Sequence, residues 1–185
     1  MLLGPTLEER IRRLEDRVAI GELVARYCLV MDNRDVDAIE HLFTPDVHVW
    51  SADGVMDARG REAAVELFKG RFAVLGPSNH FTHDRIIEFD PRDHDRATGI
   101  VLSHAEMQRK GRPMLAAMRY HDVYCRCDGR WLFRERGLTF MYYVPTAEYL
   151  DAFGPGLDRR MRAYDHPVAA DWPEKLPTWQ RYYGK

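Results

Sequence analysis

The chain has 185 residues, 45% hydrophobic and 30% charged, with 27 Lys and Arg against 29 Asp and Glu. A chain of this length fits one domain and buries about 70% of its unfolded surface, so its core needs no metal or disulfide staple. The formal charge of −2 excludes the basic footprint of a nucleic-acid binder. No apolar run approaches the roughly 20 residues of a membrane span, and the first ten residues lack a signal-peptide core, so a cytoplasmic setting with no membrane contact is expected.

Thr6-Leu-Glu-Glu9 has the form of a capping box and opens the first helix. Leu7, Ile11, Leu14 and Val18, then Ile20, Leu23, Val24, Tyr27 and Met31, recur at three- and four-residue spacing, which predicts an amphipathic helix to about residue 32. Asn33 and Arg34 break it. Asp35 caps a second, short helix carrying Val36, Ile39, Leu42 and Phe43, which Pro45 ends. Val47 and Val49 with the Asp53–Gly54 dipeptide predict a strand, a tight turn and a return strand. Gly60 opens a third helix with Ala64, Leu67, Phe68 and Phe72 on one face, closed by Gly76–Pro77.

Four long strands follow over residues 80–89, 96–109, 112–127 and 130–143, with Asp128–Gly129 as a hairpin signal between the last two. Helices first and strands afterwards predict an α+β fold. After Pro145 the pattern dissolves into a short helical stretch over 146–153 and a tail rich in Trp, Tyr, Pro and Gly. Residues 146–185 are therefore read as an arm packed on its own domain or on a neighbouring subunit, with residues 1–145 as the domain proper.

The three cysteines, Cys28, Cys125 and Cys127, form no disulfide framework. Cys125 and Cys127 lie two apart on a strand and face the same side. His80-x-x-His83 lacks the helical spacing of a zinc pair, and no third ligand pattern supports it. No GxGxxG, P-loop or GxSxG is present, so neither a metal nor a cofactor is expected.

Tyr27 and Asp32 lie at the end of the first helix, where a carboxylate opposes the macrodipole by roughly 0.3–1 kcal/mol. Another group should hold Asp32 there, although capping of the next turn is an equally ordinary role. His80 opens the first long strand. A carboxylate on one ring nitrogen would leave the other as a proton acceptor, and Asp32 with His80 could form that pair. His83 faces the opposite side of the strand, and spacing alone does not choose between the two histidines. His104 and His121 on later strands have pocket and structural readings alike. Arg136 could meet developing negative charge or pair with a nearby carboxylate.

The element order and three segments, LEDRVAIGELVARYCLVMDNRDVDAIEHLFTPDVHVW, NHFTHDRIIEF and YHDVYCRCDGRWLFRER, resemble the SnoaL-like branch of the nuclear-transport-factor-like superfamily over about residues 7–145. The resemblance implies a curved antiparallel sheet wrapped by three helices into a cone with an internal apolar pocket. Its catalytic members include hexachlorocyclohexane dehydrochlorinase, scytalone dehydratase and bile-acid 7α-dehydratase, which eliminate HX or water with an Asp-oriented His base. Carried onto this chain, it implies His80 as base, Asp32 as its orienting acid, Tyr27 as a hydrogen-bonding or proton-donating group and Arg136 as a charge stabiliser. His104, Trp50, Phe68 and Met118 are expected to line the substrate site. An acid found on the middle strand in the dehydratase has no clear counterpart in SHAEM. The implied activity is a cofactor-independent lyase or isomerase acting on an apolar ring-containing molecule, in a homo-oligomer (dimer or trimer). The alternative is a non-catalytic ligand-binding module or a structural protein like a dioxygenase small subunit.

Overall fold

The computed structural model describes residues 6–166 and 168–184; residues 1–5, on which part of the leader expectation rested, lie outside them. The elements run α1 (Leu7–Asn33), α2 (Val36–Ile39), β1 (Phe43–Ser51), β2 (Asp57–Arg59), α3 (Arg61–Val74), β3 (Leu75–Phe89), β4 (Arg96–Arg109), β5 (Arg112–Cys127), β6 (Arg130–Pro145) and α4 (Pro177–Tyr183), with 3₁₀ turns at Glu40–Leu42, Thr146–Asp151 and Leu157–Arg159. The six strands form one sheet in the order β2-β1-β6-β5-β4-β3. This is an α+β fold in which an open, curved sheet is wrapped by the N-terminal helices into a cone. The sheet is not wholly antiparallel: β1 and β6 run parallel, because the chain passes through α3 and the whole β3–β6 meander before returning beside β1.

Local chemistry accounts for most boundaries. The Thr6 hydroxyl accepts from the Glu9 amide at 3.2 Å while Glu9 accepts from the Thr6 amide at 2.7 Å, completing the capping box. The Asp35 carboxylate accepts from the Ala38 amide at 3.2 Å. Lys110–Gly111 and Asp128–Gly129 have positive φ at both positions, as a two-residue hairpin of the right twist requires. Two boundaries differ from expectation. Phe43 begins β1 instead of closing the second helix, and Pro45 lies within that strand, where the register against β6 shifts between Phe43 and His48. Such irregular positions tolerate a missing amide. Similarly, α3 stops at Val74, so Gly76 and Pro77 belong to the start of β3.

The core joins the second half of α1 (Ile20, Val24, Tyr27, Met31) with Phe68 of α3 and the inner face of the sheet. Strand alternation gives every inner residue an outer neighbour. Trp50 is one such neighbour, its ring lying over Gly137, where an added Cβ would come within 2.1 Å of the indole. Its Nε1–H donates to Glu135 at 2.8 Å. Gly137→Val is expected to destabilise the fold by about 1–3 kcal/mol through overpacking, with Trp50 fluorescence reporting the displaced ring. An unchanged denaturation midpoint would show that the indole moves aside freely.

Beyond β6 the arm folds back over its own domain. The Tyr143 amide donates to the Arg160 carbonyl and the Arg162 amide to the Tyr143 carbonyl, extending the sheet edge that β1 leaves free. Met161 and Ala170 are fully buried in the main core, the Tyr164 hydroxyl donates to Asp53, and Trp172 stacks on Arg119 at 3.8 Å. Among the described residues, no helix is long and apolar enough to cross a membrane.

Candidate active site

The last turn of α1 and the start of β3 meet where Asp32 and His80 stand. Arg34 takes the left-handed conformation that ends α1, and its amide bonds back to Met31 and Val30. Its guanidinium reaches the carbonyls of Met31 and Gly76 and, at 3.0 Å, the Ser78 hydroxyl, tying the end of the helix to the strand. The Asp32 carboxylate then accepts three hydrogen bonds from β3. Oδ1 takes the Ser78 hydroxyl at 2.7 Å and His80 Nδ1 at 2.6 Å, and Oδ2 takes the His80 amide at 2.7 Å. These bonds hold a carboxylate against the unfavourable end of the macrodipole.

Burial alone would push Asp32 up. The hydrogen bond and charge of the His80 ring, with the Ser78 hydroxyl and the His80 amide, outweigh that effect and hold the carboxyl below its usual range. An ionised Asp32 fixes the proton on His80 Nδ1 and leaves Nε2 as the acceptor. The two side chains are 14% and 15% exposed, mostly shielded from water without being sealed off. In register beside His80 on β4 and β5 stand Ala105 and Ala116, whose side chains are methyl groups.

Tyr27 lies on the same helix, five residues before Asp32, buried among Phe43, Phe68, Tyr120 and Phe133 at centroid distances of 5.9–6.5 Å. Arg136 is fully buried behind it, its Cζ 3.9 Å from the Tyr27 and Tyr120 ring centres and 4.3 Å from that of Phe133. Its cross-strand partner Asp122, which the sequence did not single out, is equally buried, with Oδ1 at 3.7 Å from Arg136 Nε and Oδ2 accepting from the Tyr124 hydroxyl at 2.8 Å. Arg136 Nε, Nη1 and Nη2 have no hydrogen-bond acceptor among the described residues. Burial pushes Asp122 up to about 6 even though Arg136 and Tyr124 pull it down. Burial also raises the Tyr27 phenol far above its ordinary value, with the charge of Arg136 opposing.

Of the remaining expected site residues, Met118 and Phe68 face the interior, and the other two do not. Met118 pairs with Ser103, which pairs with Thr82, in the row next to His80. Phe68 stacks on Phe43 at 5.9 Å. His104 sits on the outer face, between inward-facing Ser103 and Ala105, and Trp50 is outward for the same reason, next to inward Val49. His83 is also outside, where its Nε2 lies 2.8 Å from His104 Nδ1. Burial and then the neighbouring His83 lower the His104 pKa. The pairing therefore separates His80 from His83. Ser78 and Arg34 are the two supporting groups that spacing did not reveal. Among the described residues, no cluster of three or more His, Cys, Asp or Glu is arranged to hold a metal.

Residues 12–137 match the family model of the SnoaL-like domain. Among solved structures, a scytalone dehydratase-like protein from Novosphingobium aromaticivorans is 20% identical, with 85% of this chain and 93% of that chain covered and a TM-score of 0.67. Hexachlorocyclohexane dehydrochlorinase LinA-type3 from Novosphingobium barchaimii is 23% identical, with 75% and 94% covered and a TM-score of 0.67. A Mycobacterium tuberculosis protein of unknown function is 26% identical, with 76% and 78% covered and a TM-score of 0.63. The first two likenesses, at this identity, establish the fold alone. No curated protein sequence matches the chain.

Proposed function

The chain belongs to the SnoaL-like domain family, and from that premise we propose that it is a cofactor-independent lyase or isomerase acting on an apolar, ring-containing small molecule. The observation that carries this reading is the Asp32–His80 bond of 2.6 Å in a site mostly withdrawn from water. His80 Nε2 removes a proton from a substrate carbon. The electron pair left behind forms a carbon–carbon double bond and expels a hydroxyl or halide from the adjacent carbon. In an isomerisation the same pair shifts the double bond, and the proton returns at a different carbon. Asp32 stabilises the imidazolium that forms.

Tyr27 is the acid that protonates the leaving group or hydrogen-bonds a substrate oxygen, and its buried phenol stays protonated at neutral pH. Arg136 acts by charge across the Tyr27 ring rather than by contact, because three aromatic rings wall it off. Phe68 and Met118 contribute apolar surface on the same side of the sheet. The shared fold of a hexachlorocyclohexane dehydrochlorinase adds support for elimination chemistry on a ring.

The test is proton exchange in ²H₂O with a panel of cyclic alcohols, ketones and halides, followed by mass spectrometry. The wild-type chain is expected to put deuterium into substrate or product. Asp32→Asn, which presents the wrong hydrogen-bonding partner to Nδ1, is expected to slow exchange by about 10²-fold or more. Exchange that survives Asp32→Asn undiminished would remove the dyad from the mechanism.

A further inference from the structure

The first half of α1 carries apolar residues that its own domain does not cover. Leu7, Ile11, Leu14 and Val18 are 48–69% exposed on a continuous 27-residue helix whose second half, from Ile20 to Met31, is buried in the core. Their spacing of four, three and four is the heptad seam of a coiled coil, with Leu7 and Leu14 at d and Ile11 and Val18 at a. Asp16, buried against the domain through the Trp131 indole and Arg126, lies at f on the opposite side of the helix. The seam therefore points away from the protein's own core. It ends at Gly21, where the Arg85 guanidinium crosses the helix so closely that a Cβ would lie 2.1 Å from it.

The flanking charges choose the occupant. Arg10 and Arg17 fall at g, and Glu15 and Glu22 at e, all four exposed. In a parallel pair each g residue faces the e residue five positions on in the other helix, which sets Arg10 against Glu15 within the seam and Arg17, whose guanidinium also lies 5.2 Å from the Phe89 ring centre of its own domain, against Glu22 just past the end of the seam. An antiparallel pair would set Arg against Arg and Glu against Glu, at a cost. β-branched residues at a with leucine at d favour two strands over three. From these observations we infer that residues 7–18 of α1 dock on the same segment of a second copy of this chain, forming a short parallel two-stranded coiled coil. Two heptads are too few for free peptides to associate strongly. Here the helix is already formed and anchored by its buried half, which removes most of the ordering cost.

The experiment is light scattering and sedimentation of the full chain over a range of concentrations, with Leu14→Glu and two charge-reversed proteins. One carries Arg10→Glu and Arg17→Glu, the other Glu15→Arg and Glu22→Arg. All the substituted side chains are exposed, and Arg13 stays over Phe89 when Arg17 is replaced, so circular dichroism should show an unchanged domain. Wild type is expected to dimerise, or to form an assembly in even numbers of chains. Leu14→Glu should weaken the association at least about tenfold. Each charge-reversed protein alone should dissociate, and an equimolar mixture should restore the pair. A wild type that stays monomeric at every concentration would overturn the inference. So would an assembly that Leu14→Glu leaves intact, or a charge-reversed mixture no more associated than its parts.

Discussion

Replacing His80 by alanine is expected to lower turnover by about 10²–10⁴-fold, the usual contribution of a positioned general base. The fold should survive, because two of the three bonds that hold Asp32 do not involve the imidazole. The Ser78 hydroxyl still donates to Oδ1 and the residue 80 amide to Oδ2. The loss should fall on kcat more than on KM, since the imidazole is needed when the carbon–hydrogen bond breaks rather than to hold an apolar ring. His83→Ala is the matched control, with a ring on the outer face that pairs with His104 and cannot reach the same side. Equal losses in the two variants, or full turnover in His80→Ala, would show that the chemistry lies elsewhere.

That control exposes what the linear sequence could and could not reveal. Period-two alternation separates His80 from His83 but does not say which side of the strand is inside. The choice depends on where α1 packs, through contacts between residues 46 and 48 positions apart. The same blindness placed Trp50 and His104 in the site, each a single residue away from an inward-facing position. Local signals fared better. The Thr6 capping box, the Asp35 cap and the Asp128–Gly129 hairpin are short-range chemistry, and each forms as the residue types dictate. Asp32 announced itself as a problem, an acid at the wrong end of a helix, and the structure supplies the donors that solve it. Ser78 carried no such signal, because a serine in a strand is ordinary until its partner is known. Phe43 reads as helical in the sequence because an apolar residue at the right spacing extends a helix on paper. In the structure it begins the strand that buries it against Tyr27, Phe68 and Phe133. Nor did spacing distinguish the two halves of the α1 stripe: both are regular, and only the second meets a sheet.

Asp122 leads to a large predicted effect on stability, with a sign opposite to that of an ordinary buried ion pair. Its carboxyl rises from an ordinary 3.8 to about 6 because burial penalises the charge more than Arg136 and the Tyr124 hydroxyl relieve it, with Glu135 adding to the rise. Below the ordinary value both folded and unfolded chains carry the proton, and the group costs nothing. Between about pH 4 and 6 the unfolded chain gives up its proton while the folded chain keeps it, so stability falls as pH rises. Above that window the cost levels at about 3 kcal/mol. Asp122→Asn keeps the shape and never ionises. Its stability relative to wild type should therefore climb by about 2 kcal/mol from pH 4 to pH 7, and a difference curve of urea midpoints isolates this from His104 and His121, whose lowered pKa values act on both proteins alike. The Asp122 charge is also the largest attraction that holds Arg136 charged against its own burial, and the value of about 6 for Asp122 already includes that attraction. A difference that stays flat across the window, or that favours wild type at pH 7, would mean that the attraction to Arg136 outweighs the burial of Asp122 and that the two form a true salt bridge.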